Sequence, residues 1–208
     1  MQQLVMLAGT VAEAIGWRLV AIGRARVWRL MPIVFAAMGV LAILVRRPAA
    51  ATRVSNVTAV WVGAASGLAL YVGTRVFVWI ADRWPPFRRH VVEKYQEAAE
   101  IPLRESLVLS LLVMVPAEEL FWRGLFQAHL DQTLGAVAAG VWAWFAYVAV
   151  NAASASLPIV AGAVVGGALW VGLFAWSGGV LASLASHMLW TGLMLALPPG
   201  VGRRGGAG

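Results

Sequence analysis

Three ionisable side chains fall within six consecutive positions of an otherwise apolar run: Glu118, Glu119 and Arg123 in PAEELFWRG, with VLSLLVM shortly before and LF after. A charge at mid-membrane costs roughly 2.5–3.5 kcal/mol on insertion scales, so three of them demand a compensating arrangement. Glu119 and Arg123 are four apart, stack on one helix face and can pair. Glu118 points about 100° away from Glu119 and cannot share that face equally. The division suggests Glu119 and Arg123 as scaffold and Glu118 as the chemical group, a carboxylate able to act as general base on water. Pro116, one turn earlier, removes a backbone hydrogen bond and is expected to bend the helix and make room for water. Two other readings of the same helix stay open: a buried ion-pair cluster that only fixes packing, and an ion or proton pathway.

Further along, His187 lies deep in the apolar stretch GGVLASLASHMLWTG, whereas His90 sits in a polar connection and His129 at a helix end. A lone histidine in a packed helix is commonly a hydrogen-bonded core residue. Thr191, four residues on, is placed to orient the ring or to help bind an oxyanion. Asn151, with Tyr147 one turn before it, ends WAWFAYVAVN, and such an amide commonly caps a helix or bonds between helices.

The elements that must position these groups are membrane helices. Of 208 residues 61% are hydrophobic and 12% charged, against about 25% charged in an ordinary soluble domain. Runs long enough to cross a bilayer occupy 30–45, 55–81, 106–127, 135–153, 157–176 and 179–197, with 3–22 a weaker seventh that spans or lies on the surface. RRPAAATR, LDQTLG, SASLP and SGG separate them. The fold expected is all-α, a polytopic transmembrane bundle of six to seven spans forming one integral-membrane domain over 1–208. Residues 1–81 supply its N-terminal helices, and the C-terminal GRRGGAG is expected to be disordered. Arg75, inside the second run, needs a partner or an edge position. Without cysteine, disulfides and thiolate metal sites are excluded. The N-terminus does not read as a cleaved signal peptide.

The net charge of +7 does not point to nucleic acid, because most arginines sit between apolar runs. Arg24, Arg26, Arg29, Arg83, Arg88, Arg89, Lys94, Arg104, Arg203 and Arg204 fall on one side of the bundle, and Arg46, Arg47 and Arg53 on the other. The first side is therefore expected in the cytoplasm. Within 82–105, Phe87, Val91, Tyr95 and Ala98 recur at helical spacing, which predicts a short amphipathic helix in the interface rather than a plain linker.

Taken in order, these residues resemble a known family. EELFWRG is similar to the EExxxR motif of the CAAX-protease and bacteriocin-processing (CPBP, or Abi) intramembrane proteases, whose next helix carries FxxxH and a later one His followed four residues on by Asn or Asp. SGGVLASLASHMLWT resembles the stretch around the third motif, 36 residues beyond Asn151, which in turn is 28 beyond Arg123. The resemblance covers about 85–197. It implies that Glu118 activates a water with help from the second motif, that Glu119 and Arg123 orient it, and that His187 and its partner stabilise the oxyanion. Here YVAVN puts Asn151 where that histidine is expected, over Tyr147, and HMLWT ends in Thr191. Asn151 still positions water but cannot take up a proton. Glu118, Glu119 and His187 make a poor zinc set, since zinc wants about four N, O or S ligands, so a metal-free glutamate hydrolase is expected with a metal at those three left open. The resemblance also implies a membrane-associated or lipidated substrate, no nucleic acid, and a bacterial or archaeal cell membrane. An inactive member acting as a partner-binding scaffold or immunity-type protein is the second reading, and an ion- or proton-coupled transporter the third. Straight helices would leave Asn151 about 10 Å nearer the cytoplasm than Glu118 and His187.

Overall fold

The computed structural model describes residues 1–45 and 52–200. The Arg46–Arg47 pair, most of the RRPAAATR break, and the tail with Arg203 and Arg204 lie outside the described residues, and so does the expectation of a disordered tail. All regular structure among the described residues is helical: α1 (Gln2–Ala21), α2 (Val27–Val45), α3 (Asn56–Ala81), α4 (Pro85–Ala98), α5 (103–134), α6 (Ala136–Ala152), α7 (Leu157–Ser177) and α8 (Val180–Ala196).

Local chemistry sets the boundaries. The Ser55 side chain accepts the Thr58 N–H at 3.1 Å and starts α3. Gly178 ends α7 in the left-handed region at φ 72°, a conformation that costs glycine no Cβ clash. Gly135, at φ 76°, divides α5 from α6. Pro158 falls in the first turn of α7, where a missing N–H breaks no helical bond.

The bundle is apolar outside and polar within. Leu4, Leu7, Val11 and Ile15 on α1, Trp61 and Val76 on α3, and Val137, Trp142 and Phe145 on α6 are exposed, while Glu13, Glu118, Glu119, Arg123, Gln127, Asn151 and His187 are buried. Water would reject that distribution, and hydrocarbon requires it. By length and composition α1, α2, α3 and α7 suffice to cross a membrane, and α6 and α8 are shorter apolar helices. With α5 they form a polytopic membrane bundle. The N-terminal stretch is a packed member of it: α1 runs back along α2, and Gln2 donates to the Val45 carbonyl at 3.0 Å.

Between spanning helices apolar area gives little net drive, because lipid is as apolar as the partner. Close backbone approach takes its place. Gly63 and Gly67 of α3 lie directly on the Ala182 and Ser186 backbone of α8, a GxxxG face against a small-residue face. Gly39 of α2 lies on Ala117 of α5, where a Cβ would come within 2.7 Å of the alanine Cβ. Arg75 finds its partner in Tyr71, donating to the hydroxyl at 3.0 Å, and that hydroxyl donates to the Leu197 carbonyl at 2.7 Å.

The amphipathic reading of 82–105 corresponds to α4. Phe87 and Val91 are buried against Val78, with Tyr95 and Leu157 packed alongside, and Arg88, Arg89 and Glu93 face outward. Trp28, in the first turn of α2, donates its indole N–H to the Glu97 carbonyl at 2.8 Å, so the arginines of 24–29 share a side of the bundle with α4. Arg53 lies at the opposite end, its N–H donating to the Ser177 carbonyl at 2.8 Å.

Gly67→Leu is expected to force α3 off α8 and cost about 1–3 kcal/mol or more, as overpacking does. Gly73→Ala, where no atom lies within 4 Å, should leave stability unchanged. Thermal unfolding of the two variants in one detergent checks this, and equal melting points would contradict the close-packed crossing.

Candidate active site

The charged motif sits on α5, which is not a uniform α-helix. Segments Leu103–Leu109, Val115–Phe121 and Ala128–Leu134 are α-helical, and Ser110–Met114 and Trp122–Gln127 are wider π-helical turns. Pro116 is the second residue after the first π turn. Proline has no N–H for the carbonyl four residues back, and the π turn absorbs the interruption without ending the helix. Room around the motif thus comes from two π turns flanking the glutamates, and the second of them carries Arg123.

Glu119 and Arg123 are both fully buried. Arg123 Nη1 lies 3.3 Å from Glu119 Oε1, and the same oxygen bonds His187 Nδ1 at 2.9 Å. The guanidinium lies over the rings of Tyr147, at 4.7 Å, and Trp170, at 5.4 Å. Its nitrogens form no hydrogen bond among the described residues. An ion pair and two aromatic faces therefore hold the cation, which suits arginine, a weakly hydrated planar charge. Trp170 also stacks on His187, with centroids 3.6 Å apart and planes 17° from parallel. Bonding at Nδ1 and stacking on its face fix the imidazole, and Nε2 is the nitrogen left for the cavity.

That cavity, of about 610 Å³, is lined by Glu118, Tyr147, Asn151, His187 and Thr191 but not by Glu119 or Arg123. Its volume suits a ligand of small-molecule size. Tyr147 and Glu118 line this cavity together. Asn151 donates from Nδ2 to the Tyr147 carbonyl of its own helix at 3.0 Å, which leaves Oδ1 as its remaining side-chain acceptor. Asn151 and Glu118 nonetheless border one space, despite the depth difference expected for straight helices. Its lining also takes in the apolar Leu70, Phe77, Phe87 and Val91, with Lys94 and Tyr95 of α4.

Two participants were missed in the sequence. Trp170 carries no local signal, being one of eleven tryptophans. Glu13 is fully buried and accepts the Trp122 indole N–H at 2.9 Å. Its signal was available: Met6, Gly9, Glu13, Gly16 and Trp17 recur at helical spacing and are the buried residues of α1, so the glutamate lies on the small-residue face.

Metal ligation requires free donors. Glu119 Oε1 is committed to His187 and Arg123, and among the described residues no three His, Asp or Glu side chains are grouped to hold an ion. Glu119 Oε2 is buried and does not line the cavity, and the donors that do, Glu118, His187 and an amide, do not fit a zinc site.

The site is a cavity within an apolar helical bundle, bordered by one carboxylate, one histidine and one amide. Residues 102–193 match the family described as Rce1-like, type II CAAX prenyl endopeptidase. Over that stretch the chain is similar to CAAX-protease-type membrane proteins, in line with the EExxxR-like motif and the His187 helix. No curated protein and no solved structure matches the chain.

Replacing Arg123 by Gln removes one partner of a buried ion pair and should destabilise the fold by roughly 3–5 kcal/mol. Chemical unfolding in detergent measures the loss. A change below about 1 kcal/mol, the range of surface pairs, would show that Glu119 does not depend on the guanidinium.

Proposed function

We propose that the protein is an intramembrane endopeptidase that hydrolyses a peptide bond in a membrane-associated or lipidated substrate, with Glu118 activating the water. The observation that carries this reading is the separation of the two glutamates. Glu119 is tied to Arg123 and His187, and Glu118 alone reaches the cavity. A carboxylate inside a mostly apolar wall is a base held apart from bulk solvent.

In the proposed reaction a water beside Glu118 gives a proton to the carboxylate as its oxygen attacks the peptide carbonyl carbon. His187, oriented through Nδ1 by Glu119, donates from Nε2 as imidazolium to the developing oxyanion, and the Glu119 charge balances the ring. Thr191 offers a second donor. The C–N bond then breaks, and the proton held by Glu118 passes to the leaving amine. Asn151 accepts from the attacking water through Oδ1, and Tyr147 holds the second face of the Glu118 carboxylate. No metal enters these steps. The side bearing α4, Arg24, Arg26 and Arg29 is assigned to the cytoplasm of a bacterial or archaeal cell, on the arginine bias.

The Asn151 amide, bonded back to its own helix, favours one competing reading: a member that has lost its chemistry and retains a binding role. The purified protein incubated with prenylated CAAX peptides and with hydrophobic peptides separates the two. Glu118→Gln should lower cleavage by ~10²–10⁴-fold, the range of general-base contributions, with melting unchanged. Chelator should have no effect. Full activity in Glu118→Gln would remove the mechanism, and an inert native protein that gains activity in Asn151→His would establish the competing reading.

A further inference from the structure

Glu13 lies outside the stretch that matches the family, on a helix that supplies none of the residues discussed above as catalytic. Its position follows from packing. Gly9 of α1 lies directly on the Phe121 ring, where a side chain would collide, so α1 docks flush against the motif helix. One turn later Glu13 Oε2 meets the Trp122 indole of the same motif at 2.9 Å. A further turn brings Trp17 to the cavity wall. The other carboxylate oxygen, Glu13 Oε1, is buried and makes no hydrogen bond among the described residues.

The charged and titratable groups buried on the helices packed against α1 are Glu118, Glu119 and Arg123 of α5 and Tyr147 of α6. The buried residues of α2, which packs beside α1, are Met31, Pro32, Phe35, Met38, Gly39 and Ala42, all without charge. The buried cluster thus holds three carboxyls, Glu13, Glu118 and Glu119, against one guanidinium, Arg123. If all three were ionised, two negative charges would be left over in a medium that cannot solvate them. The imidazolium that the proposed reaction requires at His187 offsets one. The other must be offset between Glu13 and Glu118.

We propose that Glu13 is a positioning residue of the hydrolytic site, a second buried carboxyl that shares one proton with Glu118. The proposal rests on the reading of Glu118 as the base. With the proton on Glu13, Glu118 is left ionised to accept the proton of water, without a second like charge beside it. The proton on Glu13 is retained through the cycle, because the one taken from water leaves with the amine. The pair also supplies a second titratable carboxyl in a site whose second-motif position, Asn151, is an amide that holds no proton.

Two readouts on the full-length protein in detergent test this. In infrared spectra near neutral pH, the native protein should give the carbonyl band of a buried protonated carboxyl. Glu13→Gln should abolish it, and so should Glu118→Gln, because a lone remaining carboxylate is offset by the charges present. In cleavage assays Glu13→Gln should move a limb of the pH–rate profile by at least about one pH unit, the scale of coupled carboxyls. A residue that only supports the fold would lower the rate equally at every pH. A band that survives either substitution overturns the sharing, and the Glu118→Gln arm decides this even where Glu13→Gln fails to fold. Native protein that cleaves, with band and profile unmoved by Glu13→Gln, overturns the proposal and spares the peptidase reading. Native protein that shows the band but cleaves nothing overturns the peptidase reading and spares the pair.

Discussion

One oxygen of Glu119 accepts His187 Nδ1 and faces the Arg123 guanidinium, and the geometry of the site depends on that junction. It ties α5 to α8 across 68 residues of sequence, between buried side chains. A buried ion pair is not an efficient stabiliser, since desolvation offsets much of its attraction. Its consequence here is orientational. The carboxylate fixes which nitrogen of His187 is engaged, the Trp170 face fixes the plane of the ring, and the same indole together with Tyr147 covers the cation. Five side chains from four helices thereby constrain one another. A shift of any helix would leave a charge in apolar surroundings, a penalty far larger than the net contribution of any single contact.

Such a cluster requires helices that approach closely, and the small residues provide the approach. Gly63 and Gly67 bring α3 onto α8 beside His187, and Gly39 brings α2 onto Ala117, next to the glutamates. Two π turns in α5 then allow a proline one turn before the motif without a break in the helix. Packing and polarity are coupled: the polar groups are affordable only where water and lipid are excluded, and exclusion follows from the glycine and alanine contacts.

The parts legible in the sequence were those with a local cause. Span limits follow from glycine, proline and serine, so the ends of α3, α6, α7 and α8 fall close to the expected positions. The Glu119–Arg123 pair follows from four-residue spacing, and α4 from Phe87, Val91 and Tyr95. What was not legible depends on how distant helices cross. No local pattern says that Glu119 meets His187, that Trp170 rather than another tryptophan covers both cation and ring, or that Asn151 bonds back to its own helix. The helix of Glu13 looked weak as a span because it carries charge. Burial of that charge on the glycine face is what makes α1 an integral part of the bundle. Pro116 drew attention to a kink, and the structure resolves the same constraint as π turns.

The cavity sets a further condition on any chemistry. Its lining combines Glu118, Tyr147, Asn151, His187 and Thr191 with the apolar Leu70 and Phe77 of α3 and Phe87 and Val91 of α4. Water entering such a space is held where hydrogen-bond partners exist, beside Glu118 and His187, and is not retained along the Phe77, Phe87 and Val91 wall. A substrate with an apolar segment would partition in the reverse sense. Under the hydrolytic reading one space thus sorts the two reactants before any bond changes. α4 contributes to this sorting through its apolar face, whose Phe87 and Val91 form part of the wall while Arg88, Arg89 and Glu93 remain outside. Under the same reading the inner face of α4 is part of what a substrate meets, since Phe87 and Val91 can be changed without touching the charged motif on α5.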